Sequence, residues 1–202
     1  MRNNQMVIGI CGLISSGKDT IADYLIKEHN FEKISFADKL KDSVAAMFDW
    51  DRELLDGKTA ESRVWREEAD PYWTNEMGVD ITPRLVLQKF GTECMRNGFY
   101  DGIWVSLTKK TILDNPDINY VIPDTRFPNE AKMLYDINGE VWRVKRGEDP
   151  AWFREYRELG VEPTEVHPSE WAWAQTKFKH IINNNGTIPE LKDQVLSLLK
   201  SI

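Results

Sequence analysis

Nine consecutive residues, Gly12-Leu13-Ile14-Ser15-Ser16-Gly17-Lys18-Asp19-Thr20, set two glycines five positions apart and follow them with a lysine, a carboxylate and a hydroxyl. Glycine tolerates φ > 0 and lets backbone approach a ligand closely. A loop turning on two glycines can aim successive N–H groups at one anion. A helix beginning at the loop adds its positive N-terminal end. Lys18, directly after the second glycine, would reach the β- and γ-phosphates of a nucleotide. A serine or threonine usually follows that lysine. Here Asp19 takes the place and the hydroxyl comes one residue later, at Thr20. The expectation is that Asp19 holds Mg²⁺ through water while Thr20 contacts phosphate, with Gly12, Ser15, Ser16 and Gly17 completing the cradle. The plainer alternative is a Gly/Ser turn before a helix, but a strand before the loop and a helix after it favour the cradle. Cys11 reads as core packing beneath the loop.

A second constellation, Asp124-Thr125-Arg126, ends an apolar strand. A carboxylate there can hold the metal or orient an acceptor, and Arg126 can bridge phosphates. The alternative is an Asp-Thr turn capping the helix at Pro128; Glu130 reads as a helix N-terminal charge. Arg84, Gln88 and Gly91 fall at i, i+4 and i+7, on one helix face. That face suits an acceptor's phosphate and base, though a solvated face explains the spacing as well. Arg143, Arg146, Arg154 and Arg157 gather around one strand and the segment after it. As a basic lid they would neutralise a transferring phosphoryl group and exclude water, with Arg146, at the strand end, the first choice. As surface charge they would be balanced by Glu148, Asp149, Glu155 and Glu158. His167, in His167-Pro168-Ser169-Glu170, reads as a lid or substrate contact, because phosphoryl transfer needs no histidine base. Trp152, Trp171 and Trp173 read as lid packing.

These residues must be positioned by regular elements. Met6–Cys11 is a β-branched run of the kind found in buried parallel strands. Further strands are expected at Lys33–Phe36, Asn119–Pro123, Glu140–Lys145 and Lys179–Asn183. Helical spacing runs from Lys18 to about His29 and from Ala37 to Phe48. Thr82-Pro83 starts a helix to about Asn97, and helices are expected at Gly102–Asn115 and Pro128–Ile137. Thr187 and Glu190 form a capping box before a last helix through Lys200. Trp50–Asp80 reads as irregular or partly helical and Arg146–Phe178 as irregular. Strands alternating with helices predict an α/β fold with a five-stranded parallel sheet covered on both faces. In such sheets the site lies at the carboxyl ends of the strands.

Composition narrows the classes. The 202 residues carry a formal net charge of -7, with 41% hydrophobic and 29% charged residues. That length suits one compact domain. The acidic balance argues against nucleic acid as the partner, while a local arginine cluster can still hold a nucleotide. Two distant cysteines make no disulfide framework and no metal motif. No apolar run nears the ~20 residues of a membrane span, and the amino end lacks a signal-peptide stretch. The expectation is a reduced, soluble, cytoplasmic protein (host cytoplasm if viral), without a membrane partner, monomeric or homodimeric.

Taken in order, Ser16-Gly17-Lys18-Asp19-Thr20, Arg84 through Gln88 to Gly91-Thr92-Glu93, Ile122-Pro123-Asp124-Thr125-Arg126, Val144-Lys145-Arg146, His167-Pro168-Ser169-Glu170 and Asn183 through Asn185-Gly186-Thr187 resemble the bacteriophage deoxynucleoside monophosphate kinases. That family is similar in fold to adenylate kinase and phosphomevalonate kinase. The resemblance implies a three-layer P-loop kinase fold with ATP and Mg²⁺ at the phosphate loop and Asn185 and Gly186 near the donor adenine. It implies a single domain over 1–202. Its core would be 1–48, 116–146 and 178–202, with an acceptor-binding insertion at about 49–115 and a lid at about 147–177. Acceptor contacts would come from Ser35, Phe36, Ala37, Arg84, Gln88, Arg126, His167 and Glu170. Catalysis would rest on Lys18, Asp124, Arg126 and Arg146, and metal binding on Asp19, Thr20 and Asp124.

The chemistry this implies is in-line transfer of the ATP γ-phosphoryl group to a deoxynucleoside monophosphate, by positioning and charge neutralisation. Two alternatives stay open. One is a kinase of another small phosphorylated metabolite. The other is a nucleotide-binding regulatory module, although the chain has no N-K-x-D run of a guanine-binding switch.

Overall fold

The computed structural model describes residues 5–166 and 168–201. Along the chain come β1 (Val7–Cys11), α1 (Lys18–His29), β2 (Phe31–Lys33), α2 (Asp38–Phe48), α3 (Arg52–Asp56), α4 (Ala60–Trp65), α5 (Pro71–Met77) and α6 (Pro83–Gln88). After α6 the helix continues with π geometry over Lys89–Asn97. Then follow α7 (Ile103–Asp114), β3 (Asn119–Ile122), α8 (Pro128–Asp136), β4 (Glu140–Lys145), α9 (Ala151–Leu159), α10 (Pro168–Trp171), a 3₁₀ turn (Ala172–Gln175), β5 (His180–Asn183) and α11 (Ile188–Leu199). Two compact units result: unit 1 is Met1–Ser35 with Lys109–Ile202, and unit 2 is Phe36–Thr108.

Unit 1 holds a five-stranded sheet in the order β2-β3-β1-β4-β5. Every pairing is parallel, with Gly9 beside Ile122 on one side of β1 and Cys11 beside Arg143 on the other. All five residues of β1 are buried, as a strand covered on both faces requires. The alternation of side chains assigns the two faces. Ile8 and Ile10 pack with Ile21 and Leu25 of α1 and Leu191 and Val195 of α11. Gly9 points the other way, where a Cβ would lie 2.3 Å from Leu134 Cδ1 of α8. Helices therefore cover both faces, as the alternating pattern predicts. No helix among the described residues is long and apolar enough to cross a membrane.

Unit 2 is helical. Val44, Leu55, Ile81, Val86 and Leu87 form its core, with Phe48, Trp50, Trp65 and Trp73 packed against them. Phe48 stacks on Trp50 at 4.7 Å between centroids. The stretch expected as irregular or partly helical is three short helices, each opened by a side-chain cap, from Asp51, Thr59 and Asp70. Caps at these starts satisfy N–H groups that helices so short leave largely unpaired.

Three other elements depart from the sequence expectation. β2 is Phe31–Lys33 rather than Lys33–Phe36: Phe31, Glu32 and Lys33 make the pairing with β3, and Phe31 packs into the core of the sheet. The Ile34 N–H still reaches Val121 O at 3.1 Å before the chain turns. The segment expected to be irregular after β4 contains α9, which buries Phe153 and Tyr156. Gly91 does not share a face with Arg84 and Gln88: those two are exposed, while Gly91 is buried. A Cβ on Gly91 would lie 2.7 Å from Leu40 Cδ2. The switch to π geometry at Lys89 widens the turn, and the missing side chain admits Leu40.

Candidate active site

The loop between β1 and α1 is built as a phosphate cradle. Ser15 adopts φ 59 and Gly17 φ 106, so the chain turns through left-handed positions that aim its N–H groups inward. Gly17 is the N-cap of α1 and offers no side-chain cap. The first N–H groups of a twelve-residue helix are thus left for another acceptor. A Cβ at Gly12 would stand 2.6 Å from both Ser16 Oγ and Val144 O, and one at Gly17 would stand 2.3 Å from Asn184 Nδ2. Both glycines are required by close approach. Lys18 Nζ donates to Gly12 O and Leu13 O, each at 2.8 Å, so the ammonium lies over its own loop. Burial holds that ammonium below its ordinary pKa, and Arg126 pushes the same way; Asp19 and Glu170 oppose the shift.

Asn184, which the motif reading passed over, ties the loop down. Its Nδ2 donates to Ser16 O at 2.8 Å, and its own N–H reaches Lys145 O at 2.7 Å. One residue thereby links the strand ends of β4 and β5 to the loop, by its backbone on one side and its side chain on the other. The neighbouring Asn185 accepts from Gly147 N at 2.7 Å. A cleft of about 390 Å³ opens here, lined by Ser15, Gly17, Lys18, Asp19, Thr20 and Arg146 on one side and by Asn184, Gly186, Ile188 and Leu191 on the other. Asp19, Thr20, Arg146, Asn185 and Gly186 are all exposed around it.

β3 ends at Ile122, which pairs with Gly9 of β1, and Asp124 lies in the turn that follows the carboxyl end of that strand. Ser35 Oγ donates to Asp124 Oδ2 at 2.5 Å, so the ends of β2 and β3 are joined. Arg126 is exposed and donates from Nη1 to Glu170 Oε1 at 2.8 Å and to Ser169 Oγ at 3.4 Å. Glu130 Oε2 accepts from the Arg126 and Phe127 N–H groups at 2.6 and 3.0 Å. It is a helix N-terminal carboxylate, as expected. In unit 2, Phe36 is buried, Ala37 precedes α2, and Arg84 bonds Glu67 Oε1 at 2.7 Å. His167 lies outside the described residues.

The arginine group divides. Arg143 is buried, bonded to Asp149, with its guanidinium 4.2 Å from the Phe153 centroid. Arg157 donates to Ala174 O and stands 5.2 Å from the Phe178 centroid. These two hold the segment after β4 together. Trp171 and Trp173 are buried within it, as packing residues.

The residues expected to hold a metal, Asp19, Thr20 and Asp124, all offer hard oxygens. Among the described residues no group of three His, Cys, Asp or Glu could hold an ion. Mg²⁺ fits such a set, because it keeps waters and takes one or two carboxylates together with substrate phosphates. Ser16 Oγ is buried in the loop without a hydrogen-bond partner among the described residues, one more polar atom available to a bound phosphate.

A parallel sheet whose central strand opens into a glycine-turned loop, an uncapped helix and a lysine defines a phosphate-binding α/β protein of the P-loop type. No protein-family model matches the chain. The chain is 30% identical over 205 residues, covering 95% of both chains, to a protein of Acanthamoeba polyphaga mimivirus whose name places it provisionally among the deoxynucleotide monophosphate kinases. It is 42% identical over 59 residues, 29% of this chain and 23% of the other, to the deoxynucleoside-5'-monophosphate kinase of Escherichia phage T5. Among solved structures it is similar to TT1252 from Thermus thermophilus (14% identity, 98% of each chain, TM-score 0.47) and to shikimate kinase from Acinetobacter baumannii (14% identity, 98% and 95%, TM-score 0.46). The chain belongs to the deoxynucleoside monophosphate kinase family.

Proposed function

We propose that the protein transfers the γ-phosphoryl group of ATP to a deoxynucleoside monophosphate, giving a deoxynucleoside diphosphate and ADP. The observation that carries this reading is the uncapped, glycine-turned start of α1 with Lys18 over it, in a sheet whose β2 and β3 ends are joined by the Ser35–Asp124 bond. In this reading the loop N–H groups and Lys18 hold the β- and γ-phosphates of ATP. Asn185 and Gly186 flank the adenine. Asp19, Thr20 and Asp124 hold Mg²⁺, which when bound draws charge off the transferring group. Ser35 orients Asp124 through its hydroxyl. Arg126 and Arg146 counter the charge that develops on the equatorial oxygens. Glu170 holds Arg126 and yields it to phosphate.

Acceptor binding is assigned to Ser35, Phe36, Ala37, Arg84, Gln88, Arg126, His167 and Glu170. Residues 49–115 act as the acceptor-binding insertion and 147–177 as the lid. The acidic chain works on free nucleotides, as a monomer or homodimer in the cytoplasm. The test is ADP release from ATP and Mg²⁺ with each of the four deoxynucleoside monophosphates, and water as the blank. Acceptor-dependent ADP well above the blank is expected. Release indifferent to acceptor would remove the transferase reading.

A further inference from the structure

Unit 2 contains two arginines with opposite surroundings. Arg52 is saturated: it donates to Asp42 Oδ1 at 2.7 Å, Asp56 Oδ1 at 2.6 Å and Asp38 Oδ1 at 3.1 Å. Asp56 in turn takes Lys41 at 2.9 Å and Lys58 at 2.7 Å, so one of the two carboxylates whose charge acts on Arg66 is already engaged. Arg66, at the end of α4, is half-buried, and its guanidinium makes no hydrogen bond or ion pair among the described residues. Its Nε is fully shielded and has no partner. The adjacent carboxylate, Glu67, is taken by Arg84.

The backbone holds this bare guanidinium in place. The Arg66 N–H donates to Ser62 O at 3.2 Å, and Arg66 O accepts from Arg84 N at 3.0 Å. Gly57, in left-handed conformation at φ 66, lies under the side chain, and a Cβ there would stand 2.3 Å from Arg66 Nη1. Burial lowers the Arg66 pKa, and the Arg84 charge lowers it further, against the opposing pull of Glu67 and Asp56. A fold that packs a guanidinium on a glycine turn, beside a second arginine and without an anion, has left room for one. A planar fork of donors matches a phosphate oxygen pair.

We propose that Arg66, with Arg84, is the anion site of unit 2 and takes the 5'-phosphate of the acceptor nucleotide. This rests on the proposed function for the identity of the acceptor. Arg66 contributes binding to ground and transition states alike, so its loss raises KM for the acceptor with kcat little changed.

The test compares wild type, Arg66→Gln, Arg66→Lys and, as a control on the exposed side of α4, Arg63→Gln. Arg66→Gln should raise KM for the deoxynucleoside monophosphate about 10- to 100-fold, the worth of one charged hydrogen-bonding group, with KM for ATP unchanged. Arg66→Lys should recover part of it, and Arg63→Gln none of the defect. The Tm of Arg66→Gln should equal or exceed that of wild type, since a buried charge without a partner is removed. A fall in Tm with both KM values raised would mark Arg66 as structural and overturn the proposal. So would an unchanged acceptor KM. A calorimetric titration without ATP separates the sources: monophosphates should lose binding in Arg66→Gln, while the parent deoxynucleosides bind both proteins alike. Loss of inorganic phosphate binding alone, with monophosphate binding intact, would mean a free-phosphate site and refute the acceptor assignment. If wild type turns over no monophosphate, the transferase reading falls; the titration still decides for or against an anion site at Arg66.

Discussion

In unit 1 the groups turned toward an anion are backbone N–H groups, fixed by Gly12, Gly17 and the left-handed Ser15 and steadied by Asn184. In unit 2 they are guanidinium side chains, Arg66 and Arg84, of which Arg66 is held bare because neighbouring carboxylates are already engaged. A backbone cradle costs little when empty where its donors face water, as at the exposed Ser15, Asp19 and Thr20. A bare side-chain cation costs more, since burial opposes its charge. Arg52 shows how the same unit treats a cation meant only for structure: it is surrounded by Asp38, Asp42 and Asp56. Among the described residues Lys18 and Arg66 form no ion pair, which sets them apart from Arg52; Arg84 and Arg126 each hold one carboxylate, Glu67 and Glu170.

Lys18, bonded to loop carbonyls rather than to a carboxylate, carries the largest expected effect. Removing it by Lys18→Met should lower kcat/KM for phosphoryl transfer about 10²- to 10³-fold, the loss typical of one electrostatic donor to the transition state. Coupled ADP release measures it, and an undiminished rate would end the assignment of the loop. The alkaline limb carries a second signature. The Lys18 pKa lies below its ordinary 10.5 through burial and Arg126. ATP affinity should therefore begin to fall at a pH below that of an ordinary lysine as the ammonium loses its proton. Stability of the free protein runs the other way. The folded state binds this proton less tightly than the unfolded one, so the contribution of Lys18 to stability rises as pH rises through the folded-state pKa.

Asn184 tests whether the cradle is as rigid as the contrast supposes. Asn184→Ala removes the 2.8 Å bond to Ser16 O and should cost about 1 kcal/mol of stability, as one hydrogen bond does, with KM for ATP raised several-fold and acceptor KM unmoved. Thermal unfolding and the two KM values decide it. An equal rise in both constants would mean that Asn184 serves the whole of the protein rather than the loop.

The two regions also differ in how far they could be read from residues alone. The loop was legible because backbone recognition demands glycines at fixed positions, and those are letters in the sequence. β4 was legible to the residue because Val141, Trp142 and Val144 make a short apolar run between Asn138-Gly139 and Arg146-Gly147. β2 was displaced because Ile34-Ser35-Phe36 is as apolar as a strand, while the pairing is made by Phe31–Lys33. α9 was missed because its apolar residues lie among charges, and Phe153 is packed against Arg143, a residue that reads as surface. Asn184 was missed because one asparagine among Asn183, Asn184 and Asn185 has no distinguishing neighbour. Arg66 was missed for the deepest reason. What sets it apart is the lack of a partner, and only the placement of Asp56 and Glu67 against other cations reveals that.

The two cysteines give the smallest effect and a direct view of the floor of the cradle. Cys11 ends β1 immediately before Gly12, is fully buried, and has its thiol pKa pushed up by burial and then by Glu130. Cys94 is exposed on the π-helical stretch of unit 2. The thiolate is the reacting form, so an aromatic disulfide reagent should consume one thiol per native chain rapidly, and the second only at the rate of global unfolding. Cys94→Ser should abolish the fast phase and leave phosphoryl transfer intact. Two fast thiols would mean that β1 opens locally beneath the loop. The backbone cradle would then be no more preorganised than the side-chain site, and the distinction between the two units would have to be given up.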